Sequence, residues 1–437
     1  MDTDTSGTRL GYIRLQPGIS RMNGLTMLYA CLTGIPFLVV INFIQPYILT
    51  AMLDIPSQQQ GSISGYLAIL HEIIMILMTG PFGALSDRVG RRRILSAGYI
   101  VVAVGLTVYP FATSVLGLAL IRCIYAFGAA AIVSSYSAVM VDYPRESSRG
   151  KLVALAAVFN GMGIIGLTVI GGNLPAWLTA MGYGPIAAGR LAMALIGAAC
   201  ISSGVIVALG LKSGVRTASS DEKSPLLKLL RLGFGAARNP RIAVSYASAF
   251  AARGDVVVIG TYISLWGTQT GIADGMTEAQ ALSRATIIFA TIQTAGLLAS
   301  PLIGILNDRI DRVTALVIGM TLASAGYLMY GLQDNPLTGN WVPIAALLGL
   351  GQVSAILAGT TLVGQEADPK ITGATIGVWS FCGAFGTMLG SLLGGILFDI
   401  WRPGAPFLLM AGFNLLVLVS AIVVRIKTPE KAVPVTS

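Results

Sequence analysis

The sequence predicts an all-α membrane protein with twelve transmembrane helices in two six-helix bundles and both termini in the cytoplasm. Three observations predict it. Of 437 residues, 54% are hydrophobic and only 11% charged, against about 25% charged in soluble domains. The apolar runs last about 20 residues or more, the length a helix needs to cross roughly 30 Å of hydrocarbon at 1.5 Å per residue. A charged loop motif also occurs twice, about half a chain apart.

The elements follow in order. Residues 1–22 carry Asp2, Asp4, Arg9, Arg14 and Arg21 around no apolar core. They read as a cytoplasmic tail, not a cleavable signal peptide. The first six spans fall near 24–53, 61–82, 93–113, 115–140, 151–173 and 188–212. The second six fall near 242–267, 283–304, 313–332, 341–364, 372–397 and 405–426. The N-terminal bundle therefore takes 23–212, a central cytoplasmic loop 213–240, the C-terminal bundle 241–427 and a closing tail 428–437. Backbone polar groups in hydrocarbon must pair within their own element, so the spans are helices. A barrel would show about ten-residue stretches of alternating polarity. Pro36 and Pro46 predict kinks in the first span. In the central loop, Ser213–Ser224 is polar. Pro225–Arg238 sets Leu226, Leu227, Leu230, Leu232 and Phe234 against Lys228, Arg231 and Arg238. That pattern reads as a basic amphipathic helix at the membrane interface, or as a linker with some helicity.

Orientation follows from the 28 Lys and Arg residues. Arg190, Arg284 and Arg402 fall on the side opposite the termini, and Arg122 and Arg253 fall inside spans. All the others lie on the termini side, which is then cytoplasmic.

Composition also excludes function classes. The net charge of +9 sits in short loops between spans, so no nucleic-acid partner is expected. Cys31, Cys123, Cys200 and Cys382 lie inside spans with no CxxC spacing and a single histidine in the chain. No disulfide, metal site or cofactor is expected. Neither a Walker A sequence nor a Ser–His–Asp set is present, so ATP drive and membrane enzymology are not expected. A receptor or sensor would need an output domain, and the tail after Lys427 holds only ten residues.

The repeat is visible in the loops. Gly83, Leu85, Ser86, Asp87, Arg88, Gly90, Arg91 and Arg92 close the second span. Gly304, Asp308, Arg309 and Arg312 close the eighth, with Asp311 in place of the second glycine. Asp142-Tyr-Pro144 after the fourth span is echoed by Asp368-Pro369 after the tenth. A duplicated six-helix unit explains both. At these residues the chain resembles a major facilitator superfamily transporter. The resemblance spans the whole chain and implies a secondary transporter working by alternating access. It implies that Gly83, Asp87, Arg88, Gly90, Arg91, Asp142, Asp308 and Arg309 form a conformational latch, with Asp87 paired to Arg91. The alternative is that these charges only enforce topology. Arg122, Ala126 and Gly128 resemble the family's R-x-x-x-G-x-G pattern, with Ala126 for the first glycine. Gly161, Gly163, Gly166, Gly171 and Gly172 approach an antiporter signature, but Leu167 and Thr168 stand where Gly-Pro is expected.

Charges inside the bilayer cost at least about 2.5–3.5 kcal/mol, so each is a candidate. Glu72 near the middle of the second span is the first candidate proton carrier, beside His71. Arg122 is an anion anchor or a partner for Glu72. Arg253 and Asp255 lie midway along the seventh span, about 200° apart around the helix. Asp255 shares a stripe with Ser248, Tyr262 and Trp266 that predicts a cavity wall. Gln45, beside Pro46 and one turn from Asn42, Gln293 and Gln352 are polar candidates for substrate contact or interhelical hydrogen bonds. Arg122–Glu72 and Arg253–Asp255 are alternatively structural ion pairs. Two intramembrane arginines favour a small organic anion taken up with protons. The alternative is proton-driven efflux of lipophilic compounds. The short loops and the resemblance imply a bacterial inner membrane, and a monomer is expected.

Overall fold

The computed structural model describes residues 8–212 and 226–428, with only the backbone of 226–229. The polar stretch Ser213–Ser224 and the tail beyond Thr428 lie outside the described residues. The described residues form thirteen α-helices. These are α1 (Arg21–Ala51), α2 (Ser57–Val89), α3 (Arg91–Val108), α4 (Val115–Asp142), α5 (Arg149–Ala180), α6 (Pro185–Gly210) and α7 (Leu226–Ala236). They continue with α8 (Pro240–Ala273), α9 (Glu278–Arg309), α10 (Arg312–Gly331), α11 (Trp341–Glu366), α12 (Thr372–Ile400) and α13 (Ala405–Lys427). All but α7 are long and apolar enough to cross a membrane, which gives the twelve spans. Large apolar side chains on their outer faces, such as Leu77, Leu116, Leu120, Leu298, Leu302 and Leu416, are exposed. Only lipid makes such an exterior favourable.

Several helices outrun the apolar stretches that predicted them, because polar signals end a helix and hydropathy does not. At α1, Ser20 and Asn23 form a reciprocal capping box, with Ser20 Oγ accepting from the Asn23 amide at 3.1 Å. Helix α2 runs on through the charged motif until Gly90, whose φ of +107° only glycine adopts without strain.

Two compact units emerge. Unit 1 comprises Met1–Ile63, Leu70–Ser220 and Gly267–Ala290; unit 2 comprises Ser64–Ile69, Asp221–Trp266 and Thr291–Ser437. Unit 1 includes the end of α8, the α8–α9 connection and the start of α9, and unit 2 includes one stretch of α2. The connection is tied into unit 1 by Gln269 Nε2, which donates to the Ser57 carbonyl and to Gln60 Oε1, each at 3.1 Å. Ser283 Oγ adds a bond to Asn173 Oδ1 at 2.5 Å.

The repeat extends into the packing. In unit 1, α3 meets α4 where a Cβ on Gly98 would lie 3.0 Å from the Gly128 carbonyl, and one on Gly128 2.9 Å from the Gly98 carbonyl. In unit 2, α10 meets α11 in the same way, with a Cβ on Gly319 2.9 Å from Ser354 and one on Gly351 2.6 Å from Ala323. Small residues let these backbones touch, which is how helices associate without a hydrophobic drive. The small-residue stripe of α12 is split. Gly386, Gly390 and Gly394 approach α8 or α13, whereas Gly373 and Gly377 meet nothing within 4 Å among the described residues. Helix α7 packs on unit 2 through Leu230, Ala236 and Ala237 against Ile242, Tyr246, Val363 and Val378.

The amino-terminal segment is not a bare tail. Arg9–Leu10 (β1) and Ile13–Arg14 (β2) form an antiparallel hairpin. The chain then docks on the α4–α5 connection. The Gln16 amide donates to the Tyr143 carbonyl at 2.9 Å, and the Arg145 amide to the Arg14 carbonyl at 2.9 Å. Arg14 donates its amide to Ser148 Oγ at 3.1 Å. Ile13, Leu15 and Ile19 are buried beneath it.

Candidate functional site

Unit 1 buries a polar cluster on α1, α2, α4 and the turn that follows α3. Its centre is Arg122, only 1% exposed. One guanidinium nitrogen, Nη2, donates to Asn42 Oδ1. Nε and Nη1 have no hydrogen-bond partner among the described residues. Arg122 also lies over the Tyr125 ring, 5.6 Å from its centroid, and that ring sits 5.7 Å from His71. Tyr125 is fixed by donating to the Phe37 carbonyl at 2.9 Å. Tyr109 is fixed by donating to Gln45 Oε1 at 3.0 Å. The Nδ1 atom of His71 is buried without a partner among the described residues. The fold thus brings Gln45, His71 and Arg122 together, with Asn42, Tyr109 and Tyr125 as additions. Glu72, the next residue along α2, is half-buried. Chemically this is a donor-rich cluster around a buried cation: guanidinium N–H groups make charge-assisted, planar hydrogen bonds to carboxylate or phosphate oxygens.

Unit 2 separates the remaining candidates. Asp255 on α8 is fully buried and accepts from Asn414 Nδ2 on α13, at 3.0 Å to Oδ1 and 3.1 Å to Oδ2. Arg253 turns elsewhere, packing its chain on Gly383 and its guanidinium 5.7 Å from the Trp379 ring. The Arg253–Asp255 ion pair is therefore not formed. Tyr262 donates to the Ser391 carbonyl at 2.6 Å. Trp266 sits 5.6 Å from Tyr330 and 6.0 Å from Phe407. The Asp255–Tyr262–Trp266 stripe is thus packed against α10, α12 and α13 inside unit 2, because the rings there offer it edge contacts. Gln352 is buried on α11 and Gln293 half-buried on α9.

The charged motif is built as a bridge in unit 1. Arg91 binds Asp87, four residues back across the Gly90 turn, at 2.9 Å, and Asp142 at the end of α4 at 2.5 Å. It also donates to Ser86 Oγ at 3.2 Å. Gly90 makes the turn that aims Arg91 back, whereas Gly83 lies within α2 and meets nothing within 4 Å among the described residues. No close approach is made at Gly83. In unit 2 the equivalent Arg312 binds Asp308 at 3.2 Å and Gln365 Oε1 at 3.0 Å. A second network stands beside it. Arg241 at the start of α8 binds Asp311 at 2.7 Å and Glu366 at 2.6 Å, and Arg425 binds Asp311 at 2.8 Å. Burial works against the charge of Asp311. Its hydrogen bond to Arg241 and the bond from the Thr314 amide outweigh that and hold the carboxyl down at about 2, from an ordinary 3.8.

These features can be set against known proteins. The family model of the Major Facilitator Superfamily matches residues 26–293 and 256–437. The chain belongs to the major facilitator superfamily. Family and fold make it a multi-pass membrane transporter rather than an enzyme. Magnetosome protein MamZ of Paramagnetospirillum magneticum is 28% identical over 395 residues, covering 86% of this chain and 59% of that protein. This chain therefore spans about three-fifths of that relative's length. Magnetosome protein MamH of the same organism is 25% identical over 402 residues and covers 90% of each chain. Methyl viologen resistance protein SmvA of Salmonella typhimurium is 25% identical over 366 residues, 75% of this chain and 73% of that one. Among solved structures, the nucleoside transporter NupG matches with a TM-score of 0.69 at 14% identity, over 91% of this chain and 98% of that one. That likeness shows the fold alone.

Within this superfamily frame, sequence reasoning missed Asn42 as an arginine partner, Asn414 as the partner of Asp255, and the Arg241–Asp311–Glu366–Arg425 network. Asp311 carried a signal: it replaces the glycine of the first motif copy, and an Asp just before an apolar run is a helix N-cap, its role at Thr314.

Proposed function

We propose that this transporter carries a small organic anion, driven by protons, through a bacterial inner membrane in which both termini face the cytoplasm. It works as a monomer, by alternating access. The observation that carries the reading is Arg122, sealed in unit 1 with two nitrogens unpaired among the described residues. A buried guanidinium stays charged at any physiological pH, so its missing hydrogen bonds are best made by an anion. Asn42, Tyr109, Tyr125 and Gln45 orient that anion. Glu72 and His71, next to each other on α2, are the proton carriers of this unit. The names of the magnetosome relatives specify no solute, so the substrate class rests on the charge of the site.

A second reading is proton-driven efflux of lipophilic cations, favoured by the similarity to a methyl viologen resistance protein. Leu167 and Thr168 in α5 weigh against it. Liposomes holding a pH-sensitive dye separate the two. With the protein reconstituted, organic anions are expected to acidify the lumen, and both Arg122→Gln and Glu72→Gln to abolish the signal. Proton movement with lipophilic cations alone would establish efflux instead. Silence with every solute would sink both.

A further inference from the structure

Asp255 is the buried charge that the unit 1 site does not use. It lies on α8 with no exposed surface and no ion pair among the described residues. The groups around it can be named element by element. From α13 come Asn414, which spans both carboxyl oxygens and also donates to the Met410 carbonyl at 2.9 Å. From α10 comes Tyr327, the titratable side chain that faces the carboxyl. Helix α12 presents Gly386 and Gly390 where it meets Gly254. On α8 itself Arg253 points to Gly383 and Trp379. No cation faces Asp255 among these groups.

Two further atoms mark the place as unfinished. The Tyr327 hydroxyl and Asn414 Oδ1 are buried without a hydrogen-bond partner among the described residues. An anion sealed in this way, with one amide and one tyrosine hydroxyl for company and no cation, is expensive. Adding one hydrogen removes the charge and supplies a donor. The Asn414 amide has two hydrogens, one for Met410 and one for a carboxyl oxygen. The other carboxyl oxygen then carries the added proton and gives it to the lone pairs of the Tyr327 hydroxyl. A dehydrated metal cation suits the pocket poorly, because Asn414 turns N–H groups, not oxygen, towards the carboxyl.

We infer that Asp255, Asn414 and Tyr327 form a proton-binding site inside unit 2, occupied in the conformation described here. The step is simple: a carboxylate oxygen takes up a proton from solvent when the site is open and returns it when the site opens again. This deepens the coupling part of the proposed function and rests on it only for the use made of the proton. The site itself is tested without any transport.

The experiment is infrared spectroscopy of the full chain in liposomes at neutral pH, in light and heavy water. A protonated carboxyl gives a C=O stretching band that shifts on deuteration. The difference between wild type and Asp255→Asn is expected to contain that band, and Glu72→Gln is expected to retain it. Tyr327→Phe, which removes the acceptor, is expected to move it. Asp255→Asn matches the protonated acid in shape, so its thermal unfolding midpoint at neutral pH is expected to equal that of wild type. A difference spectrum without the band overturns the proposal. So does a band removed by sodium but not by potassium, which would make this a cation site. A midpoint that falls in Asp255→Asn also overturns it, since that would show an ionised carboxylate making the contacts.

Discussion

In unit 1 the deepest charge is Arg122 on α4, held by Asn42 and short of two hydrogen bonds. In unit 2 it is Asp255 on α8, held by Asn414 beside an unbonded tyrosine hydroxyl. One repeat buries a guanidinium and the other a carboxyl, each without an ion-pair partner among the groups described. The difference teaches what each site needs. A guanidinium cannot shed its charge, so completing its shell takes an anion from outside. A carboxyl can be neutralised by a single proton. On the reading proposed above, the same six-helix plan carries a solute-binding chemistry in one copy and a proton-binding chemistry in the other.

The largest expected effect breaks the first half of that comparison. Hydrogen bonds to a charged group are worth about 1.5–3 kcal/mol each, or roughly 10- to 150-fold. Arg122→Gln is expected to weaken binding of the transported anion by at least about tenfold. Arg122→Lys keeps the charge but not the planar fork, so it is expected to fall between the two. Titration calorimetry with the anion that moves protons in liposomes measures both. Equal affinity in all three proteins would remove Arg122 from the site.

The second comparison is between the charged ends of the repeats. Arg91 bridges two carboxylates with 20% of its side chain exposed; Arg241 does so with 9% exposed, and its removal leaves Asp311 to Arg425 and Glu366 to the Asn239 amide alone. Arg241→Met is expected to lower stability by about 1–3 kcal/mol, and Arg91→Met by less, because water can reach its partners. Thermal unfolding midpoints in detergent test the order. The same network sets a pH dependence. Asp311 is depressed to about 2 in the folded chain, so its contribution is complete above about pH 4. That contribution is expected to disappear as pH falls from about 4 towards 2. In Asp311→Asn this part of the acid limb is expected to be missing.

What was legible in the sequence follows from range. Twelve spans and the repeat were readable because burial in lipid is written in uninterrupted local composition, and the loop motif keeps its first glycine, its Asp-Arg pair and the arginine three residues on in both copies. The Asp87–Arg91 pair was legible only through the resemblance of the loop motif to the family's. The Arg241–Glu366 pair joins residues 125 apart, and such charges also serve the charge asymmetry that fixes topology, so one pattern hid the other. The cavity stripe through Asp255 was a sound period on one helix, but periodicity says only that a face is distinct. Whether it meets solute or neighbouring rings is decided by the partner helices. The hairpin at Arg9–Arg14 was missed because two-residue strands are too short to show alternation.

That hairpin offers the smallest and most local prediction. It turns at Gly11 (φ +58°) and leaves towards α1 through Gly18 (φ +78°), both in the left-handed region. A side chain there costs about 1 kcal/mol or slightly more. At Gly18 the added Cβ would meet only Lys212 Nζ, at 3.1 Å, the movable end of a side chain. Backbone strain is then the whole cost of Gly18→Ala. Trypsin cannot cut after Arg14 while its amide and carbonyl are engaged by Ser148 and Arg145, so cleavage reports the undocked fraction. About 1 kcal/mol corresponds to roughly fivefold faster cleavage. Gly11→Ala is expected to act similarly, and Tyr12→Ser, at a position 92% exposed, not at all. The global unfolding midpoint is expected to stay put in all three variants, since the hairpin opens as a local unit. A midpoint that fell with Gly18→Ala would mean that the docked segment is part of the cooperative core of unit 1.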